Sequence, residues 1–184
     1  MERDLEKVLY TEDQIQERIE QIASDLSAEF KEKAENGERI IVISVLRGAA
    51  IFMADLVRFM DIPVEMDYMA LASYGSGVKS SGVVRMLKDL SSEVEDAHII
   101  IAEDILDSGL TLKYLIKNLK VRKVKSITVV TLLRKIVEGQ ADIECKHVGF
   151  ECPNEFIVGY GLDYAEKYRN LNCIGILKKE IYEK

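Results

Sequence analysis

The sequence lacks any apolar run long enough to cross a membrane and any excess of positive charge. Its longest apolar runs, such as IIVISVL, are far shorter than the roughly 20 residues that a membrane span needs. The first residues, MERDLEKVLY, are charged and unlike a secretion signal. Acidic residues number 32 and basic residues 25, and the formal charge of -7 works against a broad electrostatic grip on nucleic acid or anionic lipid. We therefore expect a cytoplasmic protein that binds small metabolites and neither nucleic acid nor membrane.

The sequence also lacks the cysteine and histidine patterns of zinc and disulfide sites and two common nucleotide-binding motifs. The three cysteines, Cys145, Cys152 and Cys173, form no CxxC pair, and their odd number does not suggest a disulfide framework. His98 and His147 match no metal-ligand spacing, so we interpret both as surface or structural residues. The chain has no Walker A motif and no GxGxxG after a strand. These absences argue against a zinc site, a P-loop and a dinucleotide fingerprint.

What the sequence does contain is an alternation of strand and helix patterns. Its 184 residues suit one domain. Apolar residues recur at helical spacing from Ile15 to Phe30, before Asn36-Gly37. The β-branched runs RIIVISVL, AHIIIA and SITVVTLL are separated by helix-compatible segments, which predicts a mostly parallel α/β sheet flanked by helices. VVRML is a further strand candidate.

Two regions depart from this alternation. Ser73 to Gly82, SYGSGVKSSG, is polar and glycine-rich without periodicity, and we expect a mobile surface loop there. Beyond Lys135 the pattern breaks into short pieces, HVGF, EFIVGYGLDY and CIGILKK. We predict a single domain over residues 1–184, in which segment 136–184 forms most of a small hood over the carboxyl ends of the strands.

The segment HIIIAEDILDSGLTLKYLIKNL carries the chemistry, because ligands of parallel α/β sheets bind beyond the carboxyl ends of the strands. Asp107, Ser108, Gly109 and Thr111 open a helix, where free N–H groups and the helix dipole favour phosphate. A phosphate alone would repel the acidic pair 103–104, so the ligand must also offer hydroxyl groups or a divalent cation. A sugar phosphate with magnesium satisfies both. The alternative is a solvated acidic turn with a helix cap.

The order of residue types in this segment resembles the phosphoribosyl diphosphate signature of the type I phosphoribosyltransferases: four apolar residues, two acids, two apolar residues, then Asp-Ser-Gly-x-Thr. SVLRGAAIFMADL resembles the first active-site loop of the purine salvage branch, ASYGSGVKSSG its flexible loop and EFIVGYGLDYAEKYRNL its purine-binding segment. The similarity runs from about Arg39 to Leu177 and is greatest to the bacterial hypoxanthine-guanine enzymes. It implies the type I phosphoribosyltransferase fold.

The resemblance also implies a reaction. Members of this branch transfer phosphoribosyl from phosphoribosyl diphosphate to hypoxanthine or guanine, giving IMP or GMP and diphosphate, with magnesium as cofactor. It further implies a homodimer or homotetramer. Two alternatives stay open: a nucleic-acid-binding regulator on the same scaffold, and a sibling enzyme that acts on a pyrimidine, adenine or xanthine. Lys135 disfavours adenine, because an ammonium group donates to a keto oxygen but cannot accept from an amino group.

The roles of individual residues follow from the resemblance. Asp107 is the expected proton acceptor, and Glu103 and Asp104 are expected to hold the ribose hydroxyls and magnesium. The segment expected to wrap the ribose phosphate comprises Asp107, Ser108, Gly109, Leu110 and Thr111.

The remaining expected contacts concern the purine and the diphosphate. Lys135 should meet the six-oxo group, Phe156 should stack on the base, Ile157 should contact its edge, and Asp163 should lie beside the base and a second magnesium. The residues expected to bind diphosphate are Arg47, Gly48 and Arg169, and those expected to begin the closing loop are Ser73 and Tyr74.

Overall fold

A six-stranded, mostly parallel sheet forms the centre of the computed structural model, which describes residues 1–74, 83–137 and 141–183. The strands are β1 (Leu5–Tyr10), β2 (Ile40–Leu46), β3 (Glu65–Tyr74), β4 (Val83–Lys88), β5 (His98–Leu106), β6 (Ser126–Lys135), β7 (His147–Cys152), β8 (Ile157–Val158) and β9 (Ile174–Leu177). The helices are α1 (Glu12–Glu35), α2 (Ala50–Phe59), α3 (Leu110–Val121) and α4 (Lys179–Tyr182). The main sheet has the order β4-β3-β2-β5-β6-β7, in which only β4 runs antiparallel to its neighbour.

The central strands are apolar on both faces because helices cover both faces. Ile41 and Ile43 of β2 pack with α3, whereas Ile40 and Val42, one residue out of phase, pack with α1 and α2. This follows from the alternation of side chains along a strand. The continuous apolar runs in the sequence correctly predicted parallel strands buried on both faces.

Helix α1 ends where its sequence predicted, before Asn36-Gly37, and the structure shows that it begins at a cap on Thr11. The Thr11 hydroxyl accepts from the backbone N–H of Gln14, and the Gln14 side chain accepts from the backbone N–H of Thr11, which makes a capping box. The helix stops before Gly37, whose φ of 72° is left-handed. Ile15, Ile19 and the other residues of the predicted apolar stripe are buried. Within the described ranges, no helix is long and apolar enough to span a membrane.

Two short pieces of the expected hood behave differently. HVGF belongs to β7 and extends the main sheet beside β6, in parallel register from Val130–His147 to Lys135–Cys152. Its side chains Phe150 and Cys152 pack into the core formed with α1 and α2, which explains why the segment joins the sheet rather than covering it. The strands β8 and β9 instead form a small antiparallel sheet with β1, from the other end of the chain.

The expected mobile loop lies mostly outside the described part of the chain. Ser73 and Tyr74 end β3, and residues 75–82 are not among those that the structure describes. The predicted strand VVRML is confirmed as part of β4.

Candidate active site

Three neighbouring parallel strands end at the same edge of the sheet, and a predicted site residue lies at or just beyond each end. Arg47 follows β2, Asp107 follows β5 and Lys135 ends β6. The register pairs Leu106 with Arg134, so the ends of β5 and β6 are level. It also pairs Ser44 with Ala102, so β2 ends two residues earlier, beside Asp104. The carboxyl edge of a parallel sheet is where ligands of α/β proteins bind.

The carboxyl groups of Glu103 and Asp104 are buried at this edge. Burial raises the pKa of Glu103 well above its ordinary value, and the charge of Asp104 adds to the effect. Burial also raises the pKa of Asp104 to about 6, although its bond from the backbone N–H of Ile105 (2.8 Å) and the nearby Arg169 oppose the shift. The Oε2 atom of Glu103 is inaccessible to solvent and has no hydrogen-bond partner among the described residues. Two buried acids with unused acceptor capacity favour binding of a cation or of ligand hydroxyl groups.

Magnesium fits this donor set only in company with a substrate. Carboxylate oxygens are the ligands that Mg²⁺ prefers, and it is usually held by one or two carboxylates together with substrate phosphates and waters. Within the described ranges, no cluster of three or more His, Cys, Asp or Glu side chains could hold a metal ion alone. Asp163, the third expected ligand, is close enough for its charge to raise the pKa of Asp104. The chemistry of the site therefore suits a cation shared with a bound ligand.

The turn after β5 leads directly into α3. Gly109 has a φ of 75° and is the N-cap residue of α3. A Cβ atom at Gly109 would lie 2.8 Å from Cδ1 of Ile143, so both backbone angle and space require glycine there. Ser108 Oγ accepts weakly from the N–H of Leu110 at 3.5 Å. The turn places the first N–H groups of α3 beside Asp107, as a phosphate site needs.

Asp107 and Lys135 come together across the site. Nζ of Lys135 lies 3.4 Å from Oδ2 of Asp107, although the residues are 28 positions apart. The Lys135 side chain is 14% exposed and that of Asp107 54% exposed. The structure thus brings the expected proton acceptor, Asp107, next to Lys135, the expected partner of the six-oxo group.

The turn after β2 is tightly enclosed. The Leu46–Arg47 peptide is cis. A Cβ atom at Gly48 would lie 1.6 Å from Oδ2 of Asp104, and one at Gly161 would lie 2.1 Å from the carbonyl oxygen of Gly48. Only glycine therefore fits at positions 48 and 161, and the two glycines bring the turn, the buried acids and the segment after β8 into contact.

A network of ion pairs surrounds Arg169. Its guanidinium forms an ion pair with Oδ1 of Asp163 at 2.8 Å and donates a hydrogen bond to the carbonyl oxygen of Gly161 at 2.7 Å. Oε2 of Glu166 lies 3.5 Å from Arg169 and 2.9 Å from Arg47. The structure thus brings together the two arginines expected to bind diphosphate, and adds Glu166, which the sequence analysis did not single out.

Phe156 and Ile157 make their contacts with the C-terminal part of the chain. The ring of Phe156 stacks on that of Tyr182, with centroids 4.8 Å apart, and meets Tyr164 edge-on. Ile157 is buried and pairs with Ile176 in the small sheet. One face of the Phe156 ring is therefore covered by protein, and its stacking on a purine stays a prediction. The same holds for the roles of Ser73 and Tyr74, whose loop continues outside the described residues.

A second connection missed by the sequence analysis joins α2 to the segment after β8. The hydroxyl of Tyr160 donates to Oδ2 of Asp55, which also accepts from Gln16 at 3.2 Å. Burial raises the pKa of Tyr160, and the Asp55 carboxylate raises it further. Tyr160 has a φ of 50°, an uncommon angle for a residue other than glycine. The sequence does show a tyrosine between two glycines, Gly159 and Gly161. It could not predict that the hydroxyl of this tyrosine would meet Asp55, which is 105 positions away.

Comparison with known proteins agrees with this geometry. A family model described as phosphoribosyl transferase domain matches residues 11–165. The hypoxanthine-guanine phosphoribosyltransferase of Bacillus subtilis is 49% identical over 100% of this chain and 99% of its own length. The enzyme of the same name from Mycobacterium tuberculosis is 45% identical over 98% of this chain and 90% of its own. A bifunctional protein TilS/HprT of Listeria innocua is 50% identical over 99% of this chain, which spans only 27% of that relative.

Solved structures show the same likeness. A hypoxanthine phosphoribosyltransferase from Staphylococcus aureus superimposes with a TM-score of 0.93 at 43% identity, covering 100% of this chain and 97% of the other. The Trypanosoma cruzi enzyme of that name, a mutant in a ternary substrates complex, gives 0.90 at 39% identity, with coverages of 98% and 99%. The predicted type I phosphoribosyltransferase fold and the resemblance found in the sequence are both confirmed. The chain belongs to the phosphoribosyl transferase domain family and, within it, to the hypoxanthine-guanine phosphoribosyltransferases.

Proposed function

We propose that this chain transfers the phosphoribosyl group of phosphoribosyl diphosphate to hypoxanthine or guanine, giving IMP or GMP and diphosphate. The observation that carries the proposal is the approach of Lys135 Nζ to Asp107 Oδ2, 3.4 Å apart, beside two buried carboxyl groups at the carboxyl edge of the sheet. A purine with a keto group and an imidazole N–H offers both an acceptor for the ammonium group and a donor for the carboxylate.

Asp107 and Lys135 act on the base. Lys135 donates to the six-oxo oxygen, which selects against adenine because an ammonium group cannot accept from an amino group. Asp107 accepts the imidazole proton while a ring nitrogen attacks the anomeric carbon of the ribose. General base catalysis of this kind is typically worth about 100-fold to 10,000-fold. Phe156, Ile157 and Asp163 complete the purine site in this proposal.

Glu103 and Asp104 act on the ribose. Their carboxylates accept hydrogen bonds from the ribose hydroxyls and, with Asp163, are the residues that would hold magnesium. The cation, when bound, neutralises charge on the diphosphate leaving group. The turn from Asp107 to Thr111 binds the ribose phosphate through the N–H groups at the start of α3.

Arg47, Gly48 and Arg169 act on the diphosphate. A guanidinium group matches paired phosphate oxygens and stabilises the negative charge that develops as the bond to the anomeric carbon breaks. The loop that begins at Ser73 and Tyr74 closes over the reacting atoms and excludes water, which would otherwise hydrolyse the activated sugar.

An assay with a panel of bases tests the function. Purified protein is incubated with phosphoribosyl diphosphate, with or without magnesium, and separately with hypoxanthine, guanine, xanthine, adenine and uracil. We expect rapid IMP and GMP formation that requires magnesium, and no nucleotide from adenine or uracil. If no base is converted although the sugar diphosphate binds, the alternative of a nucleic-acid-binding regulator on the same scaffold is the better account. A gel-shift experiment with RNA and DNA would test that alternative.

The proposal also covers the cellular location of the protein and its oligomeric state. We place the protein in the cytoplasm, where phosphoribosyl diphosphate and purine nucleotides are metabolised, and we assign it no nucleic-acid or membrane partner. The resemblance supports a homodimer or homotetramer, so light scattering on a sizing column should give two or four times the chain mass. A species of one chain mass at micromolar concentration would contradict this.

A further inference from the structure

The two arginines assigned to diphosphate share one carboxylate oxygen. Oε2 of Glu166 lies 2.9 Å from Nη1 of Arg47 and 3.5 Å from Nη2 of Arg169. In the part of the chain that the structure describes, Glu166 is the ion-pair partner of Arg47. The position that faces both guanidinium groups is therefore taken by an acid of the chain itself.

The backbone holds Glu166 in that place. Its N–H donates to Oδ2 of Asp163 at 2.9 Å. Ala165, Glu166 and Tyr168 have left-handed φ angles of 50°, 63° and 75°, which residues other than glycine adopt only when the surrounding structure enforces them. Such strained positions cluster at ligand-binding sites. The turn is thus built to present the Glu166 side chain toward the arginines.

Arg169 has donor capacity beyond these contacts. Asp163 and the carbonyl oxygen of Gly161 fix its guanidinium at 2.8 and 2.7 Å. Its Nε atom is buried and has no hydrogen-bond partner among the described residues. Arg169 is therefore prepared for an additional acceptor, whereas Arg47 is oriented mainly by Glu166.

We propose that Glu166 is an internal competitor for diphosphate. A carboxylate and a phosphate group accept hydrogen bonds from guanidinium in the same geometry, and two such anions cannot occupy the same pair of donors without repulsion. The diphosphate group must displace the Glu166 carboxylate from Arg47 and Arg169 when it binds. The carboxylate returns to them when diphosphate departs as product. The inference rests on the proposed function, because it takes both arginines to be diphosphate ligands.

The expected effect is modest because the pair is accessible. The side chains of Arg47 and Glu166 are 69% and 59% exposed. Exposed ion pairs of this kind change an equilibrium by about 1.4-fold to 5-fold. Glu166→Gln and Glu166→Ala should therefore bind diphosphate about 1.4-fold to 5-fold more tightly than the wild type. The KM for phosphoribosyl diphosphate should fall by a similar factor while the KM for hypoxanthine is unchanged, a split that general loss of structure would not produce.

Isothermal titration with inorganic diphosphate and magnesium tests the proposal, with steady-state kinetics on the same preparations. Glu95→Gln is the matched control, because Glu95 is also 59% exposed and pairs with Lys123 at 2.9 Å, on the loop that precedes β5 rather than at its carboxyl end. We expect tighter binding in both Glu166 variants and not in the control.

Equal or weaker binding by the Glu166 variants overturns the competitor role while leaving the proposed function intact. Arg47→Gln and Arg169→Gln separate the two claims. If neither weakens diphosphate binding, the assignment of these arginines fails, and the role of Glu166 fails with it.

Discussion

Individual residues at the edge of the sheet are not optimised for stability. The carboxyl groups of Glu103 and Asp104 are buried side by side, and burial raises the pKa of both. An acid with a raised pKa in the folded state destabilises the fold once it ionises. These two carboxyl groups therefore lower the stability of the fold, and they also provide acceptor oxygens for a bound cation or ribose.

Asp104→Asn should stabilise the protein at pH 8. The pKa of Asp104 rises from 3.8 to about 6, so the folded state binds more protons than the unfolded state between these values, and stability falls as the pH rises through them. The asparagine carbonyl can still accept from the N–H of Ile105. We expect a gain of about 1 to 3 kcal/mol in the free energy of unfolding at pH 8, vanishing near pH 4, together with loss of activity.

Urea unfolding at both pH values measures this gain. Asp89→Asn is the control with the opposite sign, because the bond from Arg122 lowers the pKa of Asp89. A variant at position 104 that is less stable than the wild type at both pH values would rule out the burial argument.

Asp107→Asn should keep substrate affinity and lose turnover. Asparagine preserves the size of the side chain but cannot take a proton, so at least part of the roughly 100-fold to 10,000-fold contribution of base catalysis should disappear from kcat. Steady-state kinetics with hypoxanthine measure it, and Asp25→Asn, on an exposed position of α1, serves as the control. An unchanged kcat would remove Asp107 from the base role.

At the scale of elements, a few side chains connect the segment after β8 to the main sheet. Tyr160 reaches Asp55 of α2, and Gly161 packs on Gly48. Along the chain, Ile157 precedes and Asp163 follows the residues that make these contacts. The placement of the proposed purine site therefore depends on α2, an element with no assigned substrate contact.

Tyr160→Phe should loosen this connection. Loss of the hydroxyl leaves the half-buried carboxylate of Asp55 without the hydrogen bond that links it to this segment, which costs about 1 to 3 kcal/mol. We expect a lower free energy of unfolding and a severalfold higher KM for hypoxanthine. Tyr10→Phe is the matched control, because its hydroxyl donates to the carbonyl oxygen of Glu151, on β7. Equal effects of both substitutions on the KM would contradict a specific role for Tyr160.

At the scale of the whole molecule, the small sheet joins the two ends of the chain. Strand β1 pairs with β9, and Leu5 is buried against Val158, Leu171 and Leu177. The small sheet thus requires residues from both termini. We propose that it unfolds together with the main sheet, as one domain over residues 1–184.

Leu5→Ala tests this cooperativity. Removal of a buried leucine side chain costs about 2 to 5 kcal/mol. If the molecule is one cooperative unit, circular dichroism and tyrosine fluorescence should report the same, single transition in urea for wild type and variant, with the variant midpoint lowered. A separate early transition of the variant, seen by tyrosine fluorescence alone, would show that the small sheet is an independent unit.

Local features of this protein were readable from its sequence. The apolar stripe of α1 and its end before Gly37, the two-sided apolar strands and the contiguous segment from Glu103 to Thr111 depend on neighbours along the chain. Their periodicity and turn residues therefore identify them. The placement of HVGF in the main sheet was missed, because the segment is short and its pairing with β6 depends on an edge that no local pattern reveals.

Contacts between distant parts of the chain were decided by the tertiary structure alone. Lys135 meets Asp107 because β5 and β6 are parallel neighbours of matched register. Glu166 meets Arg47 because Gly48 and Gly161 allow two turns to touch. Residue types and local spacing determine which elements form and which side chains can do chemistry. Packing of the sheet and its helices determines which of those side chains meet, because contacts between residues far apart in sequence exist only once the whole core is assembled.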